Sequence, residues 1–184
     1  MWSLKHIIGL NYRVIGRENI PAGPAIICSK HQSGWETLAL QEIFPLQVYV
    51  AKKELFKLPF FGWGLKLAQT IGIDRSNRAQ ANAQLMEQGL ARKRDGLWIT
   101  IFPEGTTSDG CSIKPWRSPL LQAALDARAC LQPVLLRYTD EYGRLSQAAV
   151  YIDDLSLGQS IARILATRSL SVEIHFLPSR QANG

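Results

Sequence analysis

Short apolar runs alternate along this chain with segments of helical period, and that alternation limits the folds open to it. Ala25-Ile26-Ile27-Cys28, Gln47-Val48-Tyr49-Val50-Ala51 and Leu97-Trp98-Ile99-Thr100-Ile101-Phe102 are too short for most helices. They are also too continuously apolar for strands with one wet face, so they read as strands buried on both sides. Ile71-Gly72-Ile73-Asp74-Arg75 reads as a short strand ending in a charged pair. Helical segments lie between these runs, at roughly 33–44 and from Ser76 or Asn77 to about Arg94. Arg92, Lys93 and Arg94 collect in the last turn of the second, where the helix dipole favours cations. A strand is expected over residues 12–16, and Asn19-Ile20-Pro21-Ala22-Gly23-Pro24 is a turn cluster. Downstream, the pattern predicts a helix near 117–129, a strand over 131–137 broken by Pro133, strands at 147–152 and 170–177, and a helix at 158–167. The fold class that follows is α/β: a single domain with a mixed, mainly parallel sheet flanked by helices. The 184 residues are enough for one real core.

The first buried run leads directly into Ser29-Lys30-His31-Gln32-Ser33-Gly34-Trp35-Glu36. His31 therefore sits where a strand hands over to a helix, and in open α/β folds the carboxyl ends of strands form the ligand crevice. Five residues along a continuous helix turn through about 500°, which would leave His31 and Glu36 pointing about 140° apart. They can meet only if His31 lies on the turn and Glu36 in the first turn of the helix. Ser33 as N-cap allows this, and Ser33-x-x-Glu36 is also a capping box. Two roles for Glu36 stay open at this point. It either reaches back to the Ser33 amide, or it orients His31 and leaves the other ring nitrogen as a general base.

Two further constellations fall at strand ends. Arg75 beside Asp74 suits bidentate recognition of a phosphate, or else a surface ion pair. Phe102-Pro103-Glu104-Gly105-Thr106 puts a carboxylate, a glycine amide and a hydroxyl at one edge, or is a plain turn. No Gly-x-Ser-x-Gly elbow is present, so a serine nucleophile has no support. The spacing of His6, His31, His175 and the three cysteines suits no zinc site. Cys28, Cys111 and Cys130 are an odd number, and two of them lie in apolar runs, which suits a reducing compartment. A net charge of +6 suits an anionic partner. No apolar run approaches the roughly 20 residues needed to span a bilayer.

Taken in order, His31-x4-Glu36, Gly72-Ile73-Asp74-Arg75, Phe102-Pro103-Glu104-Gly105-Thr106 and Leu131-Gln132-Pro133-Val134 resemble the four motifs of the glycerolipid acyltransferases. The resemblance is greatest to the bacterial 1-acyl-sn-glycerol-3-phosphate (lysophosphatidate) type and covers roughly residues 12–150. It implies an acyltransferase domain at 12–178, a candidate membrane-anchoring stub at 1–11 and a tail at 179–184. It implies that His31 is the general base and Glu36 its charge-balancing partner, with no acyl-enzyme. Arg75, helped by Lys52, would clamp the acceptor phosphate, and Glu104, Gly105 and Thr106 would line the acceptor site. The expected acceptor is a lysophospholipid, acylated at its sn-2 hydroxyl to give phosphatidic acid. The expected donor is acyl-CoA or acyl carrier protein, with no metal and no cofactor. The expected location is peripheral, on the cytoplasmic face of the inner membrane, with a membrane surface as partner and no nucleic acid.

The sequence departs from the family pattern in three places. Glu36 stands where aspartate is usual, Thr107 stands where arginine is common after Thr106, and the amino end is short. Glu104-Gly105-Thr106-Thr107-Ser108-Asp109-Gly110 resembles the form in lyso-ornithine lipid acyltransferases, which gives an alternative acceptor; Lys114 or Arg117 would then supply the missing charge. A third reading is a basic membrane-binding module without chemistry. Phe56, Phe60, Phe61 and Trp63 with Lys53, Lys57 and Lys66 suit a bilayer interface, or a core with a solvated basic face.

Overall fold

The structure, a computed structural model, describes residues 10–74, 77–116, 118–152, 155, 157–167 and 169–182. Its elements in chain order are β1 (Leu10–Ile15), β2 (Ile26–Ser29), α1 (Trp35–Ile43), β3 (Gln47–Lys52), α2 (Phe61–Leu67), β4 (Ile71–Ile73), α3 (Arg78–Arg94), β5 (Trp98–Ile101), α4 (Ser118–Asp126), β6 (Cys130–Thr139), α5 (Leu157–Ala166), β7 (Leu170–Phe176) and β8 (Arg180–Gln181). Short 3-10 turns occupy Arg17–Asn19 and Lys53–Lys57. The strands form one eight-stranded sheet in the order β1-β7-β6-β2-β5-β3-β4, with β8 paired to β6. Pairing is parallel throughout except where β6 meets β7 and β8. The expected mixed, mainly parallel α/β sheet is therefore the observed one.

The central strands show why the apolar runs lack alternation. In β5 all four residues are buried, because helices cover both faces. One face packs Ile27, Trp98 and Val134 against Trp35, Ala39 and Leu40 of α1 and Ile164 of α5. The other packs Cys28, Ile99 and Ile101 against Ala81 and Leu85 of α3 and Ala123 of α4. Asn77 caps α3 as its sequence suggested, its side chain accepting the Gln80 amide at 3.1 Å.

Four expectations need correction. β6 runs unbroken through Pro133. Pro133 sits where β7 has ended and β8 has not begun, so the missing donor leaves no ladder gap. The Pro133 carbonyl accepts the Leu177 amide, and Gln132 Nε2 donates to the Leu177 carbonyl at 2.8 Å. Residues 147–152 form no strand; the Tyr151 amide is spent on the Gln32 carbonyl beside His31. Of the expected tail at 179–184, Arg180–Gln181 pairs with β6 and Ala182 is buried, while 183–184 lie outside the described residues. The first strand begins at Leu10 rather than 12 and stops before Gly16. Gly16 has φ 80, and a Cβ there would lie 2.3 Å from the Phe176 carbonyl oxygen, so only glycine fits.

Candidate active site

His31 lies on the turn between β2 and α1, at the carboxyl edge of the central strand. Glu36 is the second residue of α1 and is completely buried. The two meet: His31 Nδ1 is 2.8 Å from Glu36 Oε2. The carboxylate half of the capping box forms as well. The Ser33 amide donates to Glu36 Oε1 at 3.0 Å, and the Gln32 amide donates to both carboxylate oxygens, at 3.0 and 3.1 Å. The two readings of Glu36 are thus one arrangement. Ser33 Oγ returns the contact by accepting the Trp35 amide at 3.2 Å, although Gly34 rather than Ser33 is the helix N-cap.

A buried carboxylate needs donors to replace its water. Beyond the two amides and the imidazole, Glu36 Oε1 accepts Tyr138 Oη–H from β6 at 3.0 Å. Burial, and then the nearby Glu36 charge, push the Tyr138 hydroxyl well above its ordinary value, which keeps it a neutral donor. Tyr49 is raised for the same two reasons, burial first and Glu36 second. With Nδ1 against Glu36, Nε2 is the ring nitrogen of His31 that Glu36 does not engage. The imidazole stacks on Phe102 with ring centroids 3.9 Å apart and planes 18° apart, and Phe102 in turn lies parallel to Tyr49. The His31 side chain remains about one-fifth exposed, so the ring is held by Glu36 and Phe102 and is still reachable from outside.

The loop after β5 clamps the same turn from the other side. Glu104 is buried, and its oxygens accept the His31 amide at 3.3 Å and the Lys114 amide at 2.9 Å. The Ser108 amide and hydroxyl both donate to the His31 carbonyl, at 2.9 and 3.2 Å. Buried Lys30 donates to Ser108 Oγ at 3.1 Å. Gly105 takes φ 71, a left-handed conformation that permits the tight turn in which its amide bonds the Phe102 carbonyl. Thr106 is exposed on that loop. The Thr107 hydroxyl donates to the Tyr151 carbonyl, and Lys114 Nζ donates to the Thr107 carbonyl at 2.8 Å.

Of the residues singled out in the sequence, His31, Glu36, Glu104, Gly105 and Thr106 come together at the carboxyl edges of β2 and β5. Lys52 stands at the same edge two strands away, opposite Ile73 of β4 and 3.8 Å from Glu54. Arg75 and Arg117 lie outside the described residues. Tyr138, Ser108 and the stacking role of Phe102 were not read from sequence. Tyr138 is 102 positions from the carboxylate it serves, and only the β2–β6 pairing brings it there. Among the described residues no cluster of His, Cys, Asp and Glu has the makings of a metal site.

A buried carboxylate on an imidazole, at the head of a parallel sheet, is an arrangement many hydrolytic and transfer enzymes share. The order of the motifs narrows it. A family model described as Acyltransferase matches residues 11–137. The chain belongs to the acyltransferase family. A 1-acyl-sn-glycerol-3-phosphate acyltransferase of Pseudomonas aeruginosa is 47% identical over 106 residues, which is 58% of this chain and 41% of the relative. A lyso-ornithine lipid O-acyltransferase of Rhodobacter capsulatus is 30% identical over 178 residues, 94% of this chain and 62% of the relative. The chain thus spans between two-fifths and two-thirds of the length of these relatives. The crystal structure of the 1-acyl-sn-glycerophosphate (LPA) acyltransferase PlsC of Thermotoga maritima superposes with a TM-score of 0.67 at 20% identity. It covers 95% of this chain and 63% of that one, and at this identity it establishes the fold.

Proposed function

We propose that this acyltransferase-family chain moves an acyl group from a thioester to the sn-2 hydroxyl of a 1-acyl-glycerol-3-phosphate, giving phosphatidic acid. The observation that carries this reading is the His31 Nδ1–Glu36 contact at 2.8 Å, with Nε2 left as a base at the open edge of the sheet. In the reaction His31 Nε2 takes the proton of the acceptor hydroxyl as its oxygen bonds the thioester carbon. The tetrahedral intermediate then collapses, the carbon–sulfur bond breaks, and the imidazolium returns its proton to the leaving thiolate. Glu36 stabilises the imidazolium between the two steps. A thioester is already activated, so a positioned base and proximity supply much of the needed rate without an acyl-enzyme. Acyl-CoA or acyl carrier protein serves as donor, and the chemistry calls for no metal and no redox cofactor.

Arg75, helped by Lys52, holds the acceptor phosphate in this reading. Gly105 and Thr106 flank the acceptor. Glu104 acts one step back, because both its oxygens are engaged by backbone amides. The protein works peripherally at the cytoplasmic face of the inner membrane, where such acceptors reside.

One observation favours a second acceptor. Thr107 occupies the place where a phosphate-binding arginine is common, and its hydroxyl is committed to Tyr151. A relative named lyso-ornithine lipid O-acyltransferase matches 94% of the chain. Purified protein assayed for thiol release from acyl-CoA with each acceptor separates the two. Lysophosphatidate is expected to turn over faster, and Arg75→Ala to raise its KM about tenfold. Faster turnover of lyso-ornithine lipid, with no effect of Arg75→Ala, transfers the assignment to the second acceptor. His31→Ala is expected to lower kcat by about a thousandfold with the circular dichroism spectrum unchanged; undiminished turnover removes the mechanism.

A further inference from the structure

We infer that the segment from Lys53 to Leu67 is a docking face for an anionic lipid surface, and that it brings the site-bearing edge of the sheet against that surface. The purpose of the docking rests on the acyl-transfer reading; the binding itself does not.

Five large apolar residues of this segment expose more surface than a solvated turn explains. Phe60 is 77% exposed, Trp63 59% and Leu67 86%, with Leu58 and Phe61 half-exposed beside them. The Phe60 and Trp63 rings meet edge to face with centroids 5.2 Å apart, forming one outward aromatic pair. Phe60 has φ 60 and ψ −54, a conformation that a side chain with a Cβ strongly resists. Backbone strain of this kind persists where the surroundings hold it, and here it turns an aromatic ring outward. The turn is held from beneath. A Cβ on Gly62 would lie 2.2 Å from the Phe56 carbonyl oxygen, so α2 is pressed onto the 3-10 turn Lys53–Lys57. The Phe56 ring packs over Gly72 of β4. Of the four aromatics that the sequence placed at an interface, Phe56 therefore faces inward and the other three face out.

Charge decides the kind of partner. Residues 52–70 hold four lysines and one glutamate. Glu54 lies 3.8 Å from Lys52, which leaves Lys53, Lys57 and Lys66 exposed around the aromatic pair. Lysine is depleted where proteins meet proteins, and a second copy would oppose like charge to like charge. Aromatic rings at headgroup depth with lysines beside them are what an anionic bilayer surface favours. Each such lysine is worth about a fivefold gain in affinity, so three are worth about a hundredfold.

Topology places this face on the catalytic edge. β3 ends at Lys52 at the same carboxyl edge of the parallel strands as His31 and Glu104. Because β1 runs with β7 and against β6, its first residue Leu10 also lies at that edge, at the far end of the sheet. A surface approached from this side meets the crevice as well as the aromatic pair, so a membrane-resident lysolipid reaches His31 without leaving the lipid phase altogether.

Co-sedimentation with phosphatidylcholine vesicles, with and without phosphatidylglycerol, tests the inference. The intact protein is expected to bind the anionic vesicles. Lys53→Glu/Lys57→Glu/Lys66→Glu should lose at least about a hundredfold in affinity and Phe60→Ser/Trp63→Ser at least about tenfold, with unchanged circular dichroism. His31→Ala should bind as the wild type does. The Phe60/Trp63 variant should keep its turnover of a short-chain acceptor dissolved as monomer, and lose it on acceptor embedded in vesicles. Unchanged vesicle binding in both surface variants overturns the inference. So does a wild-type dimer that these variants split without a change in vesicle affinity. Vesicle binding without turnover sinks acyl transfer alone, and turnover without vesicle binding sinks the docking face alone.

Discussion

Glu36 and Glu104 are two buried carboxylates at the heads of adjacent parallel strands, and they keep different company. Glu36 follows β2 and Glu104 follows β5, and both are essentially inaccessible to water. Both accept backbone amides from the His31 turn. Glu36 also faces a titratable ring and a phenol, His31 Nδ1 and Tyr138 Oη. Among the described residues Glu104 meets backbone, the amides of His31 and Lys114. Burial and charge are therefore poor guides to role here. What distinguishes the two among the described residues is that Glu36 contacts an ionisable ring and a phenol, whereas Glu104 contacts backbone amides.

The sharpest test replaces each carboxylate by its amide. Glu36→Gln keeps the shape but gives the imidazolium no counter-charge, and kcat should fall about a hundredfold with little change in KM. Glu104→Gln should lower kcat less than tenfold while reducing stability by about 2–3 kcal/mol in urea unfolding, because one amide now faces a donor. A larger loss of kcat in Glu104→Gln than in Glu36→Gln breaks the distinction. Tyr138→Phe sharpens it further. It removes one donor from Glu36 without touching His31, so the fold should lose about 2 kcal/mol and kcat only a few-fold. An effect on turnover as large as that of Glu36→Gln would show the phenol in the proton path.

A last expected effect is in the pH dependence of stability. Tyr138 and Tyr49 near Glu36, and Cys28 on β2, all titrate above their ordinary values, burial being the largest cause for each. Burial pushes the Cys28 thiol from 9.0 up to about 12. A raised folded value means that the unfolded chain loses its proton first as pH rises. The stabilisation is thus complete below pH 9, shrinks progressively above it, and is gone for Cys28 beyond about pH 12. Urea midpoints should fall steadily on the alkaline side, and Tyr138→Phe should blunt that fall. A midpoint independent of pH over this range would contradict the burial of these groups.

Local pattern carried much of the molecule. The apolar runs of β2, β3 and β5, the long helix capped by Asn77 and the Ser33–Glu36 spacing each depend on residues within a few positions of one another. Where a long-range partner decides, the local signal misleads. Pro133 reads as a strand breaker, yet β6 passes through it because the missing donor falls between β7 and β8. Residues 147–152 read as a strand, yet the sheet offers them no place and their backbone braces the His31 turn.

The sequence by itself determined the α/β class, the strand-to-helix turn that carries His31, and the motif order that marks an acyltransferase-family chain. Tertiary structure alone decided that Glu36 is fully buried, that Tyr138 completes its shell of donors, and that Phe102 fixes the imidazole plane. It also decided that Glu104 is turned inward. The physical reason is range. Capping and hydrophobic period act over one or two helical turns, whereas desolvating a carboxylate requires donors that only the pairing of distant strands can deliver.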